Sequence, residues 1–363
     1  MLNNSNFLEN IYLNLDEYLL YMDYNFFDQF NLLIDDCKQK VCNPIETQEE
    51  IIEQLQNDEG LSVEEAINLT RAFFRSLGTS YENRFEDVIS NNKITFSKGD
   101  LVASDESQVM LTGNYTDVAV IAHESEHVFS KSDNYSIINA LLREVDSMCM
   151  EMLAIDYLKE NINVNNDNIY KVREMNLIED DFFSNKYIET VISLFKNSKN
   201  NNTNTDILES AKKIFTWEAD DDSFGYIFKK QAYVILGGFS HQIGFILANY
   251  IHEKILENPE NIQMFEAVTK AMNEKNEEKA IEILANSGIP IIENGTISFS
   301  NNSIEKLVNA LDKSSRRRNN IPTKTLVTEA INGFDFSKLK AIDEHNNNKG
   351  EPFSNKIEDT GER

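Results

Sequence analysis

Glycine and proline are scarce in this chain, with 13 and 5 among 363 residues. Both fall below the usual shares of about 7% and 5%, and with so few turn-forming residues a fold of many short strands is disfavoured. A mainly α-helical architecture is therefore expected. Cysteine is rarer still: Cys37, Cys42 and Cys149 cannot build a disulfide framework, and an odd number fits a reducing compartment. Positive charge is also short, because 34 Lys and Arg stand against 61 Asp and Glu, a formal net charge of −27. Such a surface repels phosphates, so nucleic acid is not an expected partner. The single basic run, Arg316-Arg317-Arg318, reads as a solvated linker.

Long hydrophobic runs are missing as well. The opening MLNNSNFLEN has no basic segment followed by an apolar one, so no secretory signal is expected and the cytoplasm is the expected location. The alternative is an effector exported through a C-terminal signal. The stretch from Gln231 to Ile251 carries no Lys, Arg, Asp or Glu and approaches the roughly 20 residues that a bilayer span needs. Gln231, Ser240, His241, Gln242, Asn249 and the Gly237-Gly238 pair instead mark it as a core segment, with no membrane span.

What is present is apolar material, at 41% of residues, enough for a sizeable core. Residues 1–90 read as an N-terminal helical region, with helical spacing from Phe7 to Val41 and a capping-box pattern, Ser62-Val63-Glu64-Glu65, opening a helix that ends near Gly78. Two short strands are expected at Lys93–Ser97 and Gln108–Thr112. Helical periodicity returns at Thr116–Ser130, Ile137–Ile162, Gln242–Leu256, Asn261–Met272, Glu277–Ala285 and Ser303–Leu311, within a central region spanning 91–313. Asn-rich loops are expected at Asn161–Asn168 and Asn197–Thr205. Residues 314–363 read as a polar, partly disordered tail with one helix near Thr325–Asn332.

The sharpest chemical signal is His123-Glu124-Ser125-Glu126-His127, an H-E-x-x-H pattern inside a helical run. Residues four apart share a helix face, so both imidazoles can reach one tetrahedral zinc. Glu124, about 100° round the helix from His123, can act as general base toward a water that zinc has made acidic. Random placement of 5 His and 61 acidic residues gives about 0.01 such matches in a chain of this length, so the motif is informative. Its flanks Val118, Val120, Ile121, Ala122, Val128 and Phe129 mark a buried helix, where unpaired His and Glu would be costly.

A third ligand is offered by the next helix. Glu144 and Glu151 are seven apart, 20° from each other on a helical wheel, and lie among Ile137, Leu141, Met148 and Ile155. One reading pairs both acids with Lys or Arg from another helix. The other puts Glu144 on zinc and Glu151 behind a histidine ligand, orienting its ring. Cys149, on the same helix, reads as a small buried hydrophobe.

The run from Thr116 to His127, followed by Glu144-Val-Asp-Ser147 and Glu151-Met-Leu-Ala-Ile-Asp-Tyr-Leu158, resembles the zinc-binding core of the thimet oligopeptidase and oligoendopeptidase F family. That family shows an aspartate-rich lead-in, H-E-x-G-H, then E-x-x-S-x-x-x-E and an Asp-Tyr-Leu ending. A weaker likeness continues through Gly238-Phe-Ser240 and Ile283–Pro290, covering about residues 85–312. The resemblance implies a mostly helical, zincin-like peptidase that hydrolyses oligopeptides or unfolded segments. It implies one zinc per chain on His123, His127 and Glu144, with Glu124 as base and Glu151 as support. It also implies oxyanion stabilisation by phenol and imidazole groups, for which Tyr233 falls at a matching tyrosine.

The chain departs from the family at Glu126, where a glycine is usual, and at Ser130, where a histidine is frequent. No histidine occurs near Ser223–Tyr226, so His241 is the candidate to replace the transition-state histidine, with Tyr226 and Tyr250 as further phenols. These departures motivate an alternative function, a peptidase-like protein that binds zinc and peptide without turnover. A strand between Lys93 and Thr112 is expected beside the metal helix, where its edge can hold an extended substrate.

Overall fold

The computed structural model describes residues 32–33, 36–37, 60–98, 103–105, 108–129, 137–162, 171, 241–274, 276–289, 292–293, 296–297 and 301–318. These residues are mostly helical, as the shortage of glycine and proline predicts. Helix α1 (Val63–Leu77) starts at a complete capping box, in which the Glu65 N–H donates to Ser62 Oγ and the Ser62 N–H donates to the Glu65 carboxylate. The pair satisfies N–H groups that a first helical turn otherwise leaves without partners. Ala66, Thr70, Phe73, Phe74 and Leu77 follow at helical steps as its buried stripe. Helix α2 (Thr79–Ser90) begins directly after Gly78 and buries Tyr81, Phe85 and Val88.

Three short strands come next: β1 (Thr95–Lys98), β2 (Ala103–Asp105) and β3 (Gln108–Leu111). β3 lies in the middle, parallel to β1 with Phe96 opposite Val109, and antiparallel to β2 with Ser104 opposite Val109. β1 and β3 are the two expected strands, and β2 is the third, inserted from the polar stretch between them. Alternation along β3 buries Val109 and Leu111 and leaves Gln108 and Met110 exposed.

The sheet is tied to helix α3 (Thr116–Phe129) by the side chain of Asp117. Its carboxylate accepts hydrogen bonds from the Gly113 N–H at 2.7 Å, the Thr112 N–H at 3.0 Å and the Thr112 hydroxyl at 3.1 Å. A carboxylate in the first turn also suits the positive end of the helix dipole. Gly113 itself has φ of 90° and a Cβ there would press on the Leu61 carbonyl at 3.3 Å, so glycine is needed at this corner. Helix α3 is buried on nearly all sides from Thr116 to His123, which is why it lacks a polar face.

Helix α4 (Ile137–Asn161) packs along α3, and α1 packs on both. Phe74 of α1 meets Phe85 of α2 and Phe129 of α3 at ring-centroid separations of 5.0 and 5.5 Å, fastening the three together. Helix α5 covers residues 241–257 and a 3₁₀ turn (Pro259–Asn261) follows it. Helices α6 (Ile262–Asn273) and α7 (Glu277–Asn286) pack as a pair, followed by a two-strand ladder of β4 (Ile292–Glu293) and β5 (Thr296–Ile297) and by helix α8 (Asn301–Arg318). No described helix is long and apolar enough to cross a membrane.

Helix α8 corrects one expectation. Arg316-Arg317-Arg318 is not a solvated linker, and the helix continues five residues beyond the expected boundary at 313. The basic turn is recruited by buried acids elsewhere. Arg317 Nη1 lies 2.5 Å and Lys313 Nζ 3.1 Å from the carboxylate oxygens of the buried Glu253, and Arg318 donates to Asn249 Oδ1 and Ser314 Oγ. Next to this cluster, His252 Nε2 sits 2.8 Å from Asp156 Oδ2 on α4. Burial by itself would raise the Asp156 carboxyl, but His252, Arg317 and Arg318 outweigh it and hold the group below the ordinary 3.8.

Most of the helical stretch Phe7–Val41, the Asn-rich loops except Asn161 and Ile162, Cys42, Tyr226, Tyr233, the helix near Thr325–Asn332 and the tail beyond residue 318 lie outside the described residues. The described Cys37 and Cys149 are both buried, and burial raises both thiols, so neither resembles a reactive nucleophile.

Two stability outcomes follow from these contacts. Ser62→Ala, which removes the cap of α1, should cost about 1 kcal/mol, read as a lower midpoint in urea unfolding. For Asp156 the folded-state value is depressed, so its contribution is present above 3.8 and is lost as the pH falls through the lower folded value. Asp156→Asn should therefore lower the melting temperature at neutral pH, with the gap to wild type closing in acid. A gap independent of pH would contradict the assignment.

Candidate metal centre

The H-E-x-x-H motif occupies the last two turns of α3, and one turn of helix separates its two histidines. Their rings stand nearly perpendicular, at 86° with centroids 4.7 Å apart, and their Nε2 atoms converge to 3.1 Å. Helix α4 supplies the carboxylate that faces them. Glu144 Oε1 lies 3.5 Å from His127 Nε2, and Glu144 Oε2 lies 3.9 Å from His123 Nε2. One ligand atom from each of His123, His127 and Glu144 can be chosen so that all lie within 4.8 Å of one another.

Glu151 approaches the same histidine from behind. It sits two turns beyond Glu144, a rise of about 10.5 Å, so Glu144 reaches the Nε2 side of His123 while Glu151 reaches the Nδ1 side. The Glu151 Oε2 to His123 Nδ1 separation is 3.1 Å, and the Glu151 side chain is 3% exposed. Such a carboxylate fixes the ring and its tautomer, leaving Nε2 as the outward donor. Among the two readings of the acidic pair, this geometry favours the one that joins both acids to the histidines.

The three groups fit a zinc ion on donor chemistry. Two imidazole nitrogens and one carboxylate oxygen match the ligand types of catalytic zinc sites with an open fourth position. Bonds of about 2.0–2.1 Å in a tetrahedron put donors roughly 3.4 Å apart; the two Nε2 atoms stand 3.1 Å apart, and Glu144 comes to 3.5 Å of His127 through Oε1 and to 3.9 Å of His123 through Oε2, so a modest closure of the carboxylate on the histidines would complete the set. Glu124, expected as the base, follows His123 on α3 and is half-buried.

The neighbouring polar residues have structural partners. Glu126 is 2% exposed and faces Arg84 of α2 at 3.5 Å. The Arg84 guanidinium also lies 4.2 Å from the centre of the Phe129 ring. Burial pushes the Glu126 carboxyl above its usual range, with Arg84 pulling the other way. Burial likewise raises Asp146 of α4, reinforced by Glu126, while Thr269 of α6 donates to it at 3.0 Å. Arg143 donates to the His127 carbonyl at 3.3 Å and so holds the last turn of α3.

His241, expected near the reacting groups, is brought there: its Nε2 lies 3.3 Å from Glu144 Oε2, with 49% of the side chain exposed. Tyr250 lies elsewhere, donating to the Gly288 carbonyl at 3.3 Å. Sequence reasoning passed over Arg84, Arg143 and Gly244, whose partners are distant in the chain or are backbone atoms. Searches against protein-family models, curated proteins and solved structures return no match to this chain.

Glu151→Gln removes the charge behind His123 and should weaken zinc binding by about 10- to 100-fold, read by competition with a chelating dye. Unchanged affinity would make Glu151 a packing residue only.

Proposed function

We propose that this chain is a zinc-dependent metallopeptidase of zincin-like construction, related in its active-site design to the thimet oligopeptidase and oligoendopeptidase F family. The observation that carries this reading is the convergence of His123, His127 and Glu144 from two packed helices, with Glu151 on the far nitrogen of His123. Zinc bound there would supply a Lewis acid that polarises the scissile carbonyl and makes an adjacent water acidic at neutral pH.

The chain's own residues supply the rest. Glu124 takes a proton from the attacking water as its oxygen adds to the carbonyl carbon, then returns that proton to the leaving amine as the C–N bond breaks. A carboxylate one residue beyond a ligand is held at a fixed angle to the site by the helix itself, so little reorganisation is needed. Glu151 keeps His123 oriented, and Arg143 anchors the turn that carries His127. β3 packs beside α3, and the strands flanking it, β1 and β2, are the sheet edges available to an extended peptide. The substrate class is an oligopeptide or an unfolded segment of a protein.

Glu124→Gln tests this directly. It should lower cleavage of a quenched fluorescent peptide library by at least about 100-fold while zinc content stays at one per chain. Retained turnover would contradict the mechanism, and zinc binding without cleavage by the wild type would favour the non-catalytic alternative, a zinc- and peptide-binding protein.

A further inference from the structure

The third ligand is held from both sides, and one side is not accounted for by the peptidase motif. Glu144 Oε2 is buried and accepts no hydrogen bond of good geometry among the described residues. An unsatisfied carboxylate oxygen in that position is costly. A polar group facing it from outside the motif is His241 of α5, whose Nε2 is 3.3 Å away.

Helix α5 is built to keep His241 in that place. Three residues on, Gly244 brings the helix backbone against the same glutamate: a Cβ at position 244 would lie 2.8 Å from Glu144 Cβ and 3.3 Å from its carbonyl carbon. His241 and Gly244 share a face of α5, because residues three apart are neighbours on a helix. Farther along, His252 meets Asp156, so α5 runs parallel to α4, the two histidines 11 positions apart and their acidic partners 12. That far end is braced by α8 through Asn249 with Arg318 and Glu253 with Arg317 and Lys313. The basic turn of α8, unexplained as a linker, thus anchors the helix that reaches Glu144.

We infer that His241 and Gly244 form a clamp that sets the third metal ligand. When zinc is bound, a small rotation of the half-exposed His241 ring turns its Nε2–H onto Glu144 Oε2, which leaves Oε1 to face His127, and Gly244 lets the α5 backbone close on the glutamate. His241 is then a positioning residue for the metal centre, in place of the oxyanion role that the family resemblance implies. The inference rests on reading His123, His127 and Glu144 as a zinc site, but not on peptide hydrolysis.

The test is zinc affinity, measured by competition with a chromophoric chelator for wild type, His241→Ala, His241→Gln and Gly244→Ala. Loss of an outer partner typically weakens a site about 10- to 100-fold, and His241→Ala should fall in that range. His241→Gln, which keeps an N–H donor, should recover most of the loss, and Gly244→Ala should weaken zinc by crowding Glu144. Helix content of the metal-free His241→Ala protein by circular dichroism should match wild type, so that a change in affinity reads the site and not loss of the fold. Wild-type affinity in His241→Ala would overturn the clamp, and if turnover alone were lost, His241 would act on the substrate. Wild type that binds no zinc would overturn the metal centre and the clamp together. Wild type that binds zinc but cleaves nothing would overturn only the peptidase reading, and the clamp would still be decided by affinity.

Discussion

The packing of α3 against α4 is the constraint on which the rest of the structure depends. Both helices are buried almost all round, yet their contact surface carries His123, Glu144 and Glu151. Polar groups in such a place need partners within reach, and here they find one another across the interface. The spacing of four on α3 and seven on α4 makes this feasible, since each places its polar groups on one face of its helix. The remaining elements fix that pair of helices. Asp117 ties α3 to the sheet, the Phe74 cluster ties it to α1 and α2, and Arg84 and Arg143 hold its C-terminal end.

Much of the helical plan is legible in the sequence because it depends on local rules. The capping box at Ser62, the stop at Gly78, the bounds of α3 and α4 and the starts of α6 and α7 all follow from periodicity and end signals within a few residues. The candidate metal-binding residues are legible for the same reason. An H-E-x-x-H motif and two acids seven apart are local patterns whose geometry a helix dictates.

What the sequence hides is long-range pairing. Arg317 and Arg318 look solvated because their partners, Glu253 and Asn249, stand more than sixty residues earlier; a buried stripe of Leu311, Ser314, Ser315 and Arg318 continues the period of α8 and is the signal that was available. Glu126 likewise looks like a departure from a catalytic pattern until Arg84 is seen beside it. The parallel pairing of β1 with β3 needs β2 to fill the crossover, a topology that strand propensity does not encode. His241 is the most instructive case: its residue type marks it as chemical, but only the course of α5 along α4 shows which atom it faces.

The account's central claim is that α3 and α4 build a zinc centre, and elemental analysis of protein purified without added metal tests it most directly. About one zinc per chain in the wild type, absent from His127→Ala with the fold intact by circular dichroism, is the predicted result. No zinc in the wild type after equilibration with a zinc buffer, or equal zinc in both proteins, would contradict it.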